Sequence, residues 1–272
     1  MGGPGLTRRA ADVSVGLPFP PWRKGTLRRG TRASEKARME PERTEGAETE
    51  ATLRARFDLR EERFAHAGFS IDVLLPRAAD ALIDEAEFEA DERLPYWADL
   101  WPSARALAKH LLEHPPRERR ILELGAGLSL PSLALRSLGL SPLATDYYGE
   151  ALRFAEVNAV RNGLAPLHTA LLDWRHPPPG ETWELVLAAD VLYESRNAEA
   201  LAALLPRILA SGGRMLLADP GRVYIGEFID WMEDMDWVVE EIDLRRETSD
   251  PATGAMSTVR IWRVAVEGIG RR

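Results

Sequence analysis

Small, acidic and aromatic residues recur at the ends of apolar segments in the middle of the chain, where they could bind a ligand. The segment ILELGAG is an apolar run that ends in three small residues, Gly125, Ala126 and Gly127. A strand that breaks at these residues and continues as a helix brings backbone N–H groups close to a ligand. The pattern predicts a ligand-binding loop, and its alternative is an ordinary strand-to-helix turn.

Two ligand classes use such a loop, dinucleotides and S-adenosyl-L-methionine. A dinucleotide needs a third glycine where the helix touches the strand, and that position is Leu130. Glu123, at the end of the strand, can accept a hydrogen bond from an ammonium group such as the one in S-adenosyl-L-methionine. The loop therefore favours the second ligand.

Further acids follow the next two apolar runs. Asp146 lies about twenty residues beyond the glycines, the distance at which a carboxylate reaches ribose hydroxyls. Asp173 can accept an adenine amino hydrogen, and the ring of Trp174 can cover the base. The alternatives are a turn-forming Asp146 and a helix-capping Asp173 beside a packed Trp174.

The scaffold for these residues is predicted by apolar runs that alternate with helical segments. Strands are expected at RRILELG, SPLATDY, LHTALLDW, WELVLAADVLY and GRMLLADP. Only TSDPATGA joins the last two, WVVEEIDLRRE and MSTVRIWRVAV, so they must pair antiparallel. We predict an α/β fold, a seven-stranded Rossmann-like sheet of five parallel strands and then a C-terminal antiparallel hairpin, with helices on both faces.

Composition divides the chain into three parts. Residues 1–50 are rich in Pro, Gly and Arg, and we predict a disordered basic tail. Residues 51–94 form an N-terminal extension, a helix or hairpin pair followed by an acidic run that can attract a basic protein. Residues 95–266 form the ligand-binding domain, which opens with a helix whose candidate N-cap is Ser103.

Several classes of function are disfavoured by composition. The chain has no Cys, and His110 and His114, at zinc-binding spacing, lack a third ligand, so we predict surface histidines and no metal site. The net charge is −8, and the domain shows no aromatic-plus-basic stripe for nucleic acid. No apolar segment has the length of a membrane span. We expect a cytoplasmic monomer that binds neither nucleic acid nor membrane.

Together these residues resemble the seven-stranded, S-adenosyl-L-methionine-dependent methyltransferases of the family 16 protein-lysine type. The resemblance rests on ELGAG, on Asp146, on DW after the third strand, and on ADVLYE, which fits the family's D-x-x-Y motif at Asp190 and Tyr193. One branch of the family, which methylates lysines of the electron transfer flavoprotein β-subunit, is the most similar in three further segments: LPYWADLWPSARALAKHLL, ADPGR and STVRIW. The resemblance spans roughly residues 94 to 264.

The resemblance implies contacts with the cofactor and with an acceptor lysine. For the cofactor S-adenosyl-L-methionine it implies contacts from Trp101, Gly125, Ala126, Gly127, Asp146, Trp174 and Ala189. Asp190 and Tyr193 would face the amine of a protein substrate. We expect Asp190 to align the amine, without acting as a strong base, and Tyr193 to shape its slot. The alternative is that Asp190 caps the next helix and Tyr193 belongs to the core.

Two departures from the family pattern bear on the prediction. Ser129 stands where many relatives have a third glycine, and we expect the loop to tolerate this small residue. DVLYE is closer to other branches of family 16 than to the flavoprotein-directed one, which leaves the substrate open. We predict a protein-lysine N-methyltransferase, with a small-molecule N- or O-methyltransferase and a non-catalytic nucleotide-binding module as alternatives.

Overall fold

A hairpin precedes the main sheet and is set by a two-residue turn. The computed structural model describes residues 48–78, 95–250 and 253–266. In it a short helix, α1 (Glu50–Arg56), leads into β1 (Leu59–His66), which pairs antiparallel with β2 (Phe69–Pro76). Ala67 and Gly68 have φ of 48° and 82°, the left-handed pair of a hairpin turn. The segment predicted as a helix or a hairpin therefore contains both.

The main sheet has the predicted topology. Its strands are β3 (Ile121–Leu124), β4 (Leu143–Asp146), β5 (His168–Leu171), β6 (Trp183–Ala189), β7 (Leu209–Asp219), β8 (Trp237–Asp250) and β9 (Ala255–Val266). Their spatial order is β5-β4-β3-β6-β7-β9-β8. Strands β3 to β7 pair in parallel, and β9 runs antiparallel to both β7 and β8. The predicted fold class is confirmed.

Helices cover both faces of this sheet. They are α2 (Pro102–Glu113), α3 (Leu130–Ser137), α4 (Gly149–Arg161), α5 (Ser195–Ile208) and α6 (Ile225–Asp234). In β6, Val186 and Ala188 join a core with α5 and α6, whereas Leu185 and Leu187 pack with α2 and α3. Because successive side chains of a strand point to opposite faces, a continuously apolar strand needs helices on both sides.

Several element boundaries differ from the predictions; β6, for example, ends at Ala189, inside the predicted strand WELVLAADVLY. Helix α2 begins at Pro102 with Trp101 as its N-cap, so the N-cap predicted at Ser103 is wrong. Proline suits the first helical position, where its missing N–H costs no bond. Strand β7 begins at Leu209, ahead of the predicted strand GRMLLADP, because Leu209 pairs with Trp183 before a bulge.

The chain reverses direction across the sheet at β3. It passes from β3 to β4 and β5 on one side and returns to β6 on the other, and ligands of open α/β sheets bind at the carboxyl ends of the strands at such a point.

Of the predicted N-terminal parts, residues 1–47 of the tail and the acidic run between residues 80 and 92 lie outside the described residues.

Candidate active site

The carboxyl ends of β3, β4 and β6 surround a cavity of about 250 Å³. Each residue predicted to contact a ligand lines it: Trp101, Glu123, Gly125, Ala126, Gly127, Asp146, Asp173, Trp174, Ala189, Asp190 and Tyr193. They converge because β3 lies between β4 and β6. We call this space the strand-end cavity. The contact that each residue makes with a ligand stays a prediction.

The loop after β3 is built from left-handed backbone. Gly125 and Gly127 have φ of 57° and 50°, a region that glycine adopts at little cost. A Cβ atom at Gly125 would lie 3.0 Å from Cγ1 of Val191 and 3.4 Å from the ring of Trp174. Glycine at this position therefore lets Val191 pack directly against the loop, beside the ring of Trp174.

Ser129 continues the loop with the same backbone conformation. Its φ is 57°, its amide N donates to the carbonyl of Ala126 at 2.6 Å, and its carbonyl accepts from the amide of Leu133 at 2.9 Å. Its buried hydroxyl has no hydrogen-bond partner among the described residues. The loop thus accommodates serine, but with a left-handed non-glycine residue and an unsatisfied polar atom.

Asp146 holds the glycine loop in place. Its Oδ2 accepts a hydrogen bond from the amide of Gly127 at 2.8 Å, and its Oδ1 accepts one from the amide of Tyr148 at 2.9 Å. Each carboxylate oxygen can accept more than one bond. Asp146 can therefore order the loop and bind a sugar hydroxyl at the same time.

Glu123 lies below the loop, where α3 begins. Its Oε2 accepts from the amide of Ser132 at 3.1 Å and also from the hydroxyl of Ser132. Burial raises the pKa of Glu123 to about 8, although the bonds from Ser132 act in the opposite direction. A carboxyl held in this way stabilises the N-terminal turn of α3, and its predicted contact with an ammonium group stays a prediction.

Asp173 is bound by the residue two positions later. Its carboxylate accepts from Nε and Nη2 of Arg175, at 2.9 and 2.7 Å, and from the amide of Arg175 at 2.9 Å. The guanidinium of Arg175 holds the pKa of Asp173 well below its usual range. The alternative that Asp173 caps a helix is wrong, because a turn at residues 174–175 follows it and not a helix.

Asp190 follows β6 and is buried with a left-handed backbone, φ 60°. Its Oδ1 accepts from Nε of Arg222 at 2.6 Å, and its Oδ2 accepts from the hydroxyl of Ser103 at 3.1 Å. Strained backbone of this kind clusters at functional positions. The alternative that Asp190 caps the next helix is wrong, because α5 begins at Ser195 with Glu194 as its N-cap.

A second cavity of about 200 Å³ adjoins the first at Asp190, and we call it the aromatic slot. It is lined by Tyr96, Trp101, Asp190, Tyr193, Glu194 and Arg222. The rings of Tyr96 and Tyr193 meet edge to face, with their centroids 4.9 Å apart. Tyr193 is 37% exposed, so the alternative that it is a core residue is wrong.

The sequence predictions missed three residues around Asp190, namely Tyr96, Ser103 and Arg222. Arg222 belongs to the ADPGR segment that carried the resemblance, but no role was assigned to it. Asp219 of that segment accepts from the amides of Gly221 and Arg222, both at 2.7 Å, and so forms the turn that returns Arg222 toward β6. An arginine directly after a D-P-G turn at a strand end was the available signal.

Other candidate sites differ from the predictions. His110 is 8% exposed and its Nδ1 lies 2.8 Å from Oδ2 of Asp243, so the surface position predicted for it is wrong; α2 packs this side chain against β8.

Within the described ranges, no three His, Asp or Glu side chains group as metal ligands. In the same part of the chain, no helix has the length and apolar character needed to cross a bilayer.

The sheet order, the glycine loop after β3 and the acid after β4 define the seven-stranded, Rossmann-like methyltransferase fold. One solved structure of similar fold, described as "Conversion of a Disulfide Bond into a Thioacetal Group during Echinomycin Biosynthesis", aligns with a TM-score of 0.52 and 16% sequence identity. The alignment covers 71% of this chain and 94% of that one. At this identity the likeness concerns the fold alone.

Residues 87–237 match the family described as "Lysine methyltransferase", and the chain belongs to this family. The electron transfer flavoprotein beta subunit lysine methyltransferase of Danio rerio is 34% identical over 132 residues, covering 47% of this chain and 51% of the relative. The protein N-terminal and lysine N-methyltransferase EFM7 of Eremothecium gossypii is 30% identical over 186 residues, covering 59% and 68%. The chain spans about half the length of the flavoprotein-directed relative. The predicted family is confirmed.

Proposed function

We propose that this chain is an S-adenosyl-L-methionine-dependent methyltransferase whose acceptor is a lysine amine of a protein. One observation carries the proposal: the strand-end cavity and the aromatic slot share a wall of Tyr96, Trp101, Asp190 and Tyr193. A donor site and an acceptor site must adjoin in this way for a group to pass between them. Membership of the lysine methyltransferase family supports the same reading.

The residues of the strand-end cavity suit the parts of this cofactor. We assign its amino-acid part to Glu123 and the glycine loop, and its ribose to Asp146, whose carboxylate already lies against Gly127. Its adenine is assigned to the region of Asp173 and Trp174. When bound, the cofactor supplies an electrophilic methyl group on a sulfonium. The residues of the chain must then hold the acceptor in line with that group.

The acceptor amine must be neutral to act as a nucleophile. A free lysine has a pKa of about 10.4, so its deprotonation at pH 7 costs about 4–5 kcal/mol. An aromatic slot lowers the pKa of an amine because it removes water, whereas a nearby carboxylate raises it. We therefore assign Asp190 to aligning the amine and Tyr193 to shaping the slot, and the proton leaves to water before the amine is enclosed.

The acceptor is proposed to be a protein because the named relatives act on proteins. Their names give lysines of the electron transfer flavoprotein beta subunit and, for EFM7, protein N-termini and lysines. A lysine side chain is long and unbranched, and it suits a slot lined by two tyrosine rings.

The test is transfer of radiolabel from the cofactor to a cell lysate. Label is expected on a protein band, as methyl-lysine after hydrolysis, and is expected to fall at least a hundredfold in Asp190→Ala. The matched control is Asp230→Ala, an exposed aspartate of α6 outside both cavities, which should label normally. Label found only in low-mass material would favour a small-molecule methyltransferase. Absence of cofactor binding by calorimetry would favour a non-catalytic module.

A further inference from the structure

The wall of the aromatic slot carries a positive charge in contact with Asp190. Nε of Arg222 donates to Oδ1 of Asp190 at 2.6 Å, and its guanidinium carbon lies 5.4 Å from the ring centroid of Trp101. The side chain of Arg222 is 34% exposed, whereas that of Asp190 is 2% exposed. The carboxylate that faces the acceptor is thus already paired with a guanidinium cation.

Arg222 is built into this wall by its own backbone. The carboxylate of Asp219, which is 1% exposed, accepts from the amides of Gly221 and Arg222 at 2.7 Å each. The turn therefore directs the side chain back across the end of β6. The pair with Asp190 also resists separation, because its rupture would leave a buried carboxylate without its counter-charge.

The pair changes which form of an amine the slot favours. A lone buried Asp190 would attract an ammonium ion and hold the acceptor in its unreactive form. Arg222 offsets that attraction and repels an ammonium ion at short range, while it leaves a neutral amine unaffected. The other carboxylate that lines the slot, Glu194, is itself paired with Arg196.

We propose that Arg222 is the counter-charge of the acceptor slot, which neutralises Asp190 and selects a neutral amine over an ammonium ion. The inference rests on the proposed function and adds to it a positioning residue that acts through Asp190. It also resolves a conflict within that function: a carboxylate can align the amine without keeping it protonated.

The test compares two analogues of the cofactor in which nitrogen replaces sulfur. One carries an aminoethyl arm, which places an ammonium group toward the slot, and the other carries a propyl arm of the same length. Because the rest of the two molecules is identical, the ratio of their Kd values, measured by calorimetry at neutral pH, reports the preference of the slot for an ammonium ion. This readout needs neither methyl transfer nor an identified acceptor.

The wild-type protein is expected to bind the aminoethyl analogue no more tightly than the propyl analogue. In Arg222→Gln the ratio should shift toward the aminoethyl analogue by about tenfold, because Asp190 is then unopposed. Arg222→Lys retains a cation and should stay within about threefold of wild type. Arg263→Gln removes an arginine that pairs with Glu240 outside both cavities, and it should leave the ratio unchanged.

Two results would overturn the inference: an unchanged ratio in folded Arg222→Gln, or a wild-type protein that already prefers the aminoethyl analogue by tenfold or more. The second result is obtained with the wild-type protein, so the proposal can be refuted even if Arg222→Gln does not fold. Failure of the wild-type protein to bind S-adenosyl-L-methionine or either analogue is a different outcome, since it removes the proposed function on which the inference rests.

Discussion

Three polar residues of the strand-end cavity carry costs that stability alone would not favour. Ser129 and Asp190 have left-handed backbones, and the hydroxyl of Ser129 is buried without a partner among the described residues. Glu123 is buried, with its pKa raised to about 8. Costs of this kind persist where a site must hold a particular geometry, and those at Ser129 and Glu123 should be measurable as stability regained on substitution.

Ser129→Gly is expected to raise the free energy of unfolding by about 0.5–1 kcal/mol. Glycine adopts the left-handed region without steric cost, and the change also removes the unpartnered hydroxyl. Denaturant unfolding measures the effect. The matched control is Ser137→Gly at the exposed end of α3, which should lose about 0.5–1 kcal/mol because glycine is a poor helix former. A loss of stability in Ser129→Gly would contradict the argument.

Glu123→Gln is expected to flatten the pH dependence of stability. Burial raises the pKa of Glu123 in the folded protein from 4.5 to about 8, so between these values the folded state binds more protons than the unfolded state. Stability contributed by this group therefore falls as pH rises through that range. The glutamine variant does not titrate and should be more stable near the upper end by a few kcal/mol. Parallel curves from denaturant unfolding without cofactor would refute this prediction.

At the scale of elements, two asparagines one turn apart fasten the N-terminal hairpin to α4. Asn158 accepts from the amide of Leu74 at 2.7 Å and donates to its carbonyl at 2.9 Å. Asn162 makes the same pair of contacts with Asp72, at 2.9 and 3.1 Å. The side-chain amides thus satisfy backbone groups of β2 that would otherwise form an open strand edge.

Asn158→Ala is expected to cost about 2–4 kcal/mol of unfolding free energy, because the buried N–H and C=O of Leu74 lose their partners. Asn162→Ala is the matched control. Its contacts are only partly buried, so water can replace them and the cost should be about 1 kcal/mol. Urea unfolding gives both values, and faster hydrogen exchange at the amide of Leu74 should accompany the first change only. Equal costs for the two variants would show that burial does not set the difference.

At the scale of the whole molecule, ligand binding should be coupled to folding. The strand-end cavity exists only when β3, β4 and β6 are assembled, so a ligand binds the folded state alone. At a hundredfold excess over its Kd, S-adenosyl-L-methionine should add about 2.7 kcal/mol to the free energy of unfolding.

Asp146→Ala should weaken cofactor binding at least tenfold. The variant should then need correspondingly more ligand for the same gain in unfolding free energy, which a concentration series of unfolding curves measures. Unchanged affinity in this variant would remove the ribose assignment.

The sequence by itself determined the sheet, the glycine loop and the set of residues at the strand ends. Apolar runs, loop lengths and glycine positions are local properties of the chain, and they suffice to predict parallel strands and to distinguish a final antiparallel pair. Since the carboxyl ends of neighbouring strands meet at the switch point, Glu123 and Asp146 could be placed in one cavity from their positions along the strands, whereas Asp190 was placed there by the family's D-x-x-Y motif.

Only the tertiary structure decided which side chains pair with one another. Ser103 reaches Asp190 across 87 positions and Arg222 reaches it across 32, through the way α2 and the turn after β7 lie over β6. His110 is buried for the same reason, since α2 packs on β8. Such contacts depend on how elements cross in space, and no local pattern of residues encodes that crossing.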